Sequence, residues 1–317
     1  MSEASLDDRQ SSALTGISLK LASVVFFVAM ATCIKAAGDG VPAGQIVFFR
    51  SSMAMIPVFL YLIWRRQLHT AFRTKNPMGH LWRGLVGVSA MACGFYGLTQ
   101  LPLPDAIALG YARPLLMVVL ASLVLGETIR IYRWSAVALG LVGVVVISWP
   151  LLTLFDGGFW QSGQARGVVA VLTSAFLVAF VMILVRRLII TEKTPTIVLY
   201  FSLWATVLSL ATIPFGWVPL DMPALLLLIS AGVLGGLGQI LLTQSYRYAD
   251  VSTIAPFEYT SIVFAIVVGY FLFGNVPQWS MIIGTAIVVA AGLYIIVREH
   301  RLGVEQKAAR RFTTPQG

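Results

Sequence analysis

Very few charges interrupt the long apolar stretches of this chain, and those few are the side chains able to hold a polar solute. Arg50 follows Gln45-Ile46-Val47-Phe48-Phe49, Arg113 stands eight residues after Asp105, Glu258 stands eight residues after Asp250, and Lys35 closes the first apolar segment. An ionised side chain at the centre of a bilayer costs about 2.5–3.5 kcal/mol on insertion scales, so such residues face a cavity or a partner. A guanidinium there can bind an anion or carbonyl, and a carboxylate can bind a cation. Glu258 is also a candidate proton carrier, a role that a neighbouring Arg113 would oppose by stabilising the charged form. Tyr96, Tyr111, Trp204 and Tyr259 lie in helical segments close to Gln100, Gln239 and Gln244. Rings of this kind stack on a flat heterocycle while amides read its polar edge. Plain helix packing accounts for the same aromatics.

These residues need helices that cross a membrane. The chain has 317 residues, 58% hydrophobic and 11% charged, where soluble domains carry about 25% charge. That deficit excludes a soluble enzyme, a disordered chain and a nucleic-acid binder despite the net charge of +9. A span needs about 20 apolar residues. The pattern predicts ten, near 16–36, 42–64, 80–100, 105–126, 132–150, 167–187, 195–215, 222–244, 250–273 and 278–297. Gly274-Asn275-Val276-Pro277 divides the last long run, as Gly and Pro do at turns. With the N-terminus inside, all but four of the 22 basic residues fall in inner segments; the exceptions are Lys35, Arg50, Arg113 and Arg166. The positive-inside bias then places both termini in the cytoplasm. The first fifteen residues carry Glu3, Asp7 and Asp8 and lack the basic start of a signal peptide.

The chain also repeats itself. Thr99-Gln100 precedes Pro104-Asp105 as Thr243-Gln244 precedes Ala249-Asp250, and Leu123-Val124-Leu125-Gly126 matches Phe271-Leu272-Phe273-Gly274. Trp134-Ser135 and Trp279-Ser280 open the following helices. Five helices per half is odd, so the halves enter the membrane from opposite sides, the arrangement of many secondary transporters around a midplane site. Front alignment on the aspartates makes Arg113 and Glu258 equivalent, placed to pair across the cavity or to contact substrate. We expect an all-α integral membrane protein of two inverted five-helix repeats. Its segments are a cytoplasmic tail (1–15), a first repeat (16–150), an outer linker (151–166), a second repeat (167–297) and a basic tail (298–317).

At these residues the chain resembles the drug/metabolite transporter superfamily, EamA type. The likeness rests on Leu103-Pro104-Asp105-Ala106, Arg113-Pro114-Leu115, Leu125-Gly126-Glu127, Trp134 and Gly143-Val144 in the first half. In the second it rests on Ala255-Pro256-Phe257-Glu258-Tyr259, Phe273-Gly274, Val276-Pro277 and Gly292-Leu293. Asn275 departs from a Glu common in relatives. The resemblance implies ten helices, two inverted halves and a central cavity. With Lys35, Arg50 and the Pro-Phe-Glu-Tyr segment it implies carriage of a cofactor-like metabolite, such as riboflavin or S-adenosylmethionine, across a bacterial inner membrane.

Efflux of amino acids or toxic metabolites is the alternative. An intramembrane enzyme would need clustered catalytic groups at one depth, and only Glu258 is an acid deep in a helix. A channel would need charged rings or a filter. No phosphate-binding Gly-x-x-x-x-Gly-Lys-Ser/Thr loop occurs. His69, His80 and His300 are scattered, and Cys33 and Cys93 sit in apolar segments, so no metal site or cofactor is expected. The partners expected are a small solute and lipid, and the sequence does not specify the oligomeric state. Trp82, Trp134, Trp149, Trp217 and Trp279 fall near helix ends as candidate interfacial anchors. Gly232 and Gly236 should permit close helix contact.

Overall fold

The structure, a computed structural model, describes residues 3–38, 40–66, 68–125, 131–151, 163–188, 191–192, 194–249 and 251–313. Most of the expected linker, Gly126, Glu127 and Asp250 lie outside them. Among the described residues all regular structure is helical. The order is α1 (Glu3–Ala36), α2 (Ala43–Trp64), α3 (Leu68–Ala71), α4 (Pro77–Gln100), α5 (Leu103–Gly110), α6 (Ala112–Leu125) and α7 (Ile131–Ser148). Then follow α8 (Gly163–Leu188), α9 (Thr194–Leu210), α10 (Met222–Tyr248), α11 (Val251–Ile254), α12 (Thr260–Phe273) and α13 (Trp279–Thr313). Eight segments are long and apolar enough to cross a membrane. The apolar part of α9, Thr196–Leu210, is shorter, and α4 carries His80 and Arg83 in its first two turns. Among the described residues, α1 begins at Glu3 and α13 runs on to Thr313.

Local chemistry sets the ends. Asn76 caps α4 by accepting from Gly79 N at 2.9 Å, with Pro77 at the first helical position. Asp221 caps α10 in the same way, accepting from Ala224 N at 3.0 Å. α12 ends at Gly274, whose φ of 64° suits a residue without a Cβ. There Gly274 N bonds Tyr270 O at 3.1 Å, the αL form of helix C-cap, and Asn275 N bonds Gly269 O at 2.8 Å.

The packing follows an exchange of halves. α1 packs along α10 and α4 along α8; swapping the first five spans with the second five converts one pair into the other. α2 meets α9 and α7 meets α13, pairs that the same swap returns to themselves. The α7–α13 contact is reciprocal in detail: a Cβ on Gly143 would lie 2.7 Å from Gly284 O, and one on Gly284 would lie 2.6 Å from Gly143 O. Gly232 and Gly236 let α10 press on the backbone of α2, where a Cβ would meet Phe49 O and Ala54 O at 2.7 Å. Ile34, Ile46, Leu103, Leu109, Leu115, Ile147 and Leu228 fill the shared core.

Two spans are broken, and the expectation of continuous helices at 105–126 and 250–273 is corrected there. α5 stops at Gly110 and α6 restarts at Ala112, while a 3-10 turn over Ala255–Tyr259 separates α11 from α12. A proline sits at each break, Pro114 at the start of α6 and Pro256 inside the 3-10 turn. Pro114 and Pro256 lack the N–H that would bond back to Gly110 and Ser252, and their rings crowd those carbonyls. Irregular backbone at membrane depth is tolerated only where it is buried in protein or lines a water-filled cavity.

Candidate substrate-binding site

The two breaks meet. Arg113 opens α6, and Glu258 lies in the 3-10 turn before α12. Tyr111, at the first break, points its hydroxyl at the second: it lies 2.6 Å from Ser261 Oγ and donates to Tyr259 O at 3.3 Å. The Tyr111 and Tyr259 rings meet edge to face at 5.0 Å. Gly292 of α13 leaves the room that Tyr259 Oη occupies.

Arg113 is surrounded by the bundle yet keeps accessible surface. The guanidinium folds back over Gly110, where a Cβ would be 3.5 Å from Nη2. Glu258 is within electrostatic reach of Arg113, Tyr111, Tyr246 and Tyr259. Its direct partner is different: Lys20 Nζ of α1 lies 3.3 Å from Glu258 Oε2.

Lys20 was expected among the inner-surface basic residues, and here it is buried. The sequence signal was present, a lone charge in an apolar run, the same criterion that singles out Lys35. Arg83 was likewise counted with the inner loop. It lies instead inside the bundle, beside Arg50 of α2 and over the ring of Phe201 in α9. Reading Asn76-Pro77 as a helix start would have moved it inward.

The other candidates are dispersed. Lys35 Nζ donates to Leu98 O, Thr99 O and Leu101 O at 3.4, 3.3 and 2.5 Å, at the C-terminal end of α4. Gln100 packs against Gly163 and Gly167 of α8, Gln244 donates to Tyr61 Oη of α2, and Trp204 packs on Gly84 of α4. Tyr96 is half-buried one turn before Gln100. Trp82, Trp134, Trp149 and Trp279 are exposed as anchors would be. Trp217 instead packs against Phe48 and donates to Thr212 Oγ1 at 2.9 Å. No cluster of His, Cys, Asp or Glu suited to a metal occurs among the described residues.

Known proteins resemble this chain over most of its length. The pseudopaline exporter CntI of Pseudomonas aeruginosa (strain UCBPP-PA14) is 30% identical over 282 residues, 87% of this chain and 94% of that one. The S-adenosylmethionine uptake transporter of Rickettsia felis is 27% identical over 299 residues, 93% of this chain and 97% of that one. The riboflavin transporter of Rhizobium johnstonii is 26% identical, covering 82% and 83%. One protein crystal structure aligns over 90% of this chain and 97% of its own with a TM-score of 0.62, a likeness of fold at 19% identity. The EamA-like transporter pattern matches twice, over residues 14–149 and 165–298, and the chain therefore belongs to the EamA-like transporter family.

Proposed function

We propose that the protein is a secondary carrier, without enzymatic activity, for a small organic metabolite that joins a cationic group to an aromatic ring. S-adenosylmethionine is the first candidate, taken up across a bacterial inner membrane with both termini in the cytoplasm. The observation that carries this reading is the exposed carboxylate of Glu258 beside the Tyr111–Tyr259 pair at the meeting of two broken helices. A carboxylate in a low-dielectric cleft attracts an ammonium or sulfonium, and Tyr edges and faces suit an adenine ring. The breaks at 110–112 and 255–259 are where each half can flex while α7 and α13 stay locked through Gly143 and Gly284. Alternating access then moves Glu258 from one face to the other, and substrate competes with Lys20 for the carboxylate.

The test is counterflow of labelled S-adenosylmethionine into proteoliposomes holding the full chain. Glu258→Gln should abolish it while leaving the melting profile of a folded protein. No counterflow with the wild type would sink the substrate assignment. Export is a second reading, favoured by the likeness to the pseudopaline exporter. Inside-out vesicles that accumulate label when right-side-out ones do not would select it. A riboflavin auxotroph rescued by the gene on low external vitamin would redirect the reading to flavins.

A further inference from the structure

Arg50 and Arg83 lie close together in the interior, and neither has a carboxylate. Each makes no hydrogen bond and no ion pair with any described residue. Nε of Arg50 and both Nε and Nη1 of Arg83 are fully enclosed and unpartnered. The two charges are within reach of one another. The Arg83 guanidinium carbon sits 3.9 Å from the centre of the Phe201 ring, which fixes the guanidinium but supplies no counter-charge.

Guanidinium groups stay protonated in proteins. Two of them, enclosed and unpaired, repel each other and forfeit hydration, so a bound anion stabilises the arrangement. The fork of donors on each group matches a planar oxyanion. Gly235 of α10 leaves room beside Arg50, where a Cβ would lie 3.4 Å from Nε.

We infer that Arg50 and Arg83 form an oxyanion subsite that takes the carboxylate of the transported metabolite. This inference rests on the transport function proposed above. It makes the carrier selective for amino-acid-type metabolites over neutral heterocycles.

The experiment uses the purified full chain in detergent with S-adenosylmethionine and its decarboxylated analogue as probes. The wild type should bind the carboxylate-bearing probe about 10- to 100-fold more tightly, the size of a charge-assisted hydrogen bond. Arg83→Gln should bind both probes equally, near the wild-type affinity for the analogue. Its melting temperature without ligand should be unchanged or higher, because a repulsion has been removed. Arg83→Lys, which keeps the charge and loses the fork, should recover only part of the preference. Retained discrimination in Arg83→Gln, or an equal fall for both probes together with a lower melting temperature, overturns the subsite.

If neither probe binds the wild type, the substrate assignment has failed and the subsite is read separately. Acetate and benzoate should then raise the wild-type melting temperature saturably, with the rise lost in Arg50→Gln and Arg83→Gln. Stabilisation by anionic phospholipid alone, or by no soluble carboxylate, overturns it.

Discussion

Lys20 and Glu258, 238 positions apart, form an ion pair at 3.3 Å in which the lysine is 5% exposed and the carboxylate 59%. The pair is lopsided: α1 and its neighbours enclose the ammonium, whereas the carboxylate meets the cleft. A lysine buried there needs its anion, but a cleft-facing carboxylate can be solvated without its cation. Glu258→Gln should therefore destabilise the protein by roughly 2–3 kcal/mol, below the 3–5 kcal/mol of a fully desolvated pair because one side is wet. Lys20→Met should cost less. The double variant should regain most of the lost stability and none of the transport. Thermal melting of the four proteins, with counterflow beside it, checks this. Equal losses for the two single variants would contradict the asymmetry.

The approach of α10 to α2 gives a second test. A Cβ at Gly236 would lie 2.5 Å from Pro57 Cγ and 2.7 Å from Ala54 O. Pro57 is a rigid ring inside α2 and the carbonyl belongs to the helix, so neither neighbour can move aside. Gly236→Ala should cost about 1–3 kcal/mol, the usual range for an overpacked contact. Gly216→Ala supplies contrasting mechanics: no atom stands near its Cβ, but its φ of 96° strains any L side chain. Melting curves should place the Gly236 variant lower because it separates two helices instead of straining one loop. A Gly236→Ala protein as stable as the wild type would mean that the helices part without cost.

Much of this architecture is legible in the residues. The apolar runs fall on helices, eight of them long and apolar enough to cross a membrane among the described residues, because an apolar stretch of fixed length is a one-dimensional signal. The Arg113–Glu258 equivalence is also a one-dimensional reading, made by alignment on Asp105 and Asp250. What could not be read was partner choice. Lys20 meets Glu258 because α1 packs against the 3-10 turn, and Arg83 meets Arg50 because α4 starts earlier than hydropathy suggests. Hydropathy discounts exactly those turns whose charges are buried by neighbouring helices. Gln100, Gln244 and Trp204 belong to the same difficulty: their neighbours across helix interfaces, not their types, determine what they face.

Lys35 separates positioning from binding. Its ammonium meets three carbonyls at the end of α4, where orphan acceptors and the negative end of the helix dipole favour a cation. The Phe273 ring lies 5.8 Å away. Lys35→Met should lower stability by about 1–3 kcal/mol by stranding those acceptors. It should speed amide exchange in the last turn of α4 and leave the KM for transport unchanged. A raised KM with an unaltered melting temperature would instead make Lys35 a substrate contact.

Glu192 supplies a pH test away from the spans. Its side chain is 3% exposed and joins the segment before α4 to the segment before α9. It accepts from Thr74 Oγ1 at 2.7 Å, Lys75 N at 2.6 Å and Asn76 N at 2.9 Å, with His80 Nε2 at 3.9 Å. Burial opposes ionisation, but these donors and the His80 charge outweigh it and hold the carboxyl below the ordinary range. A carboxyl depressed on folding stabilises the protein above its unfolded pKa, about 4.3, and that contribution is lost as pH falls through the lower folded value. The Glu192 contribution should therefore be level from neutral pH down to about 5 and shrink as pH falls below about 4.3. Glu192→Gln should melt lower than the wild type at pH 7, and the gap should narrow on further acidification as the native carboxyl protonates. Amide exchange at Lys75 and Asn76 should rise in the variant at neutral pH and in the wild type only on acidification. A gap that persists unchanged at low pH would mean that shape, not charge, joins the two segments.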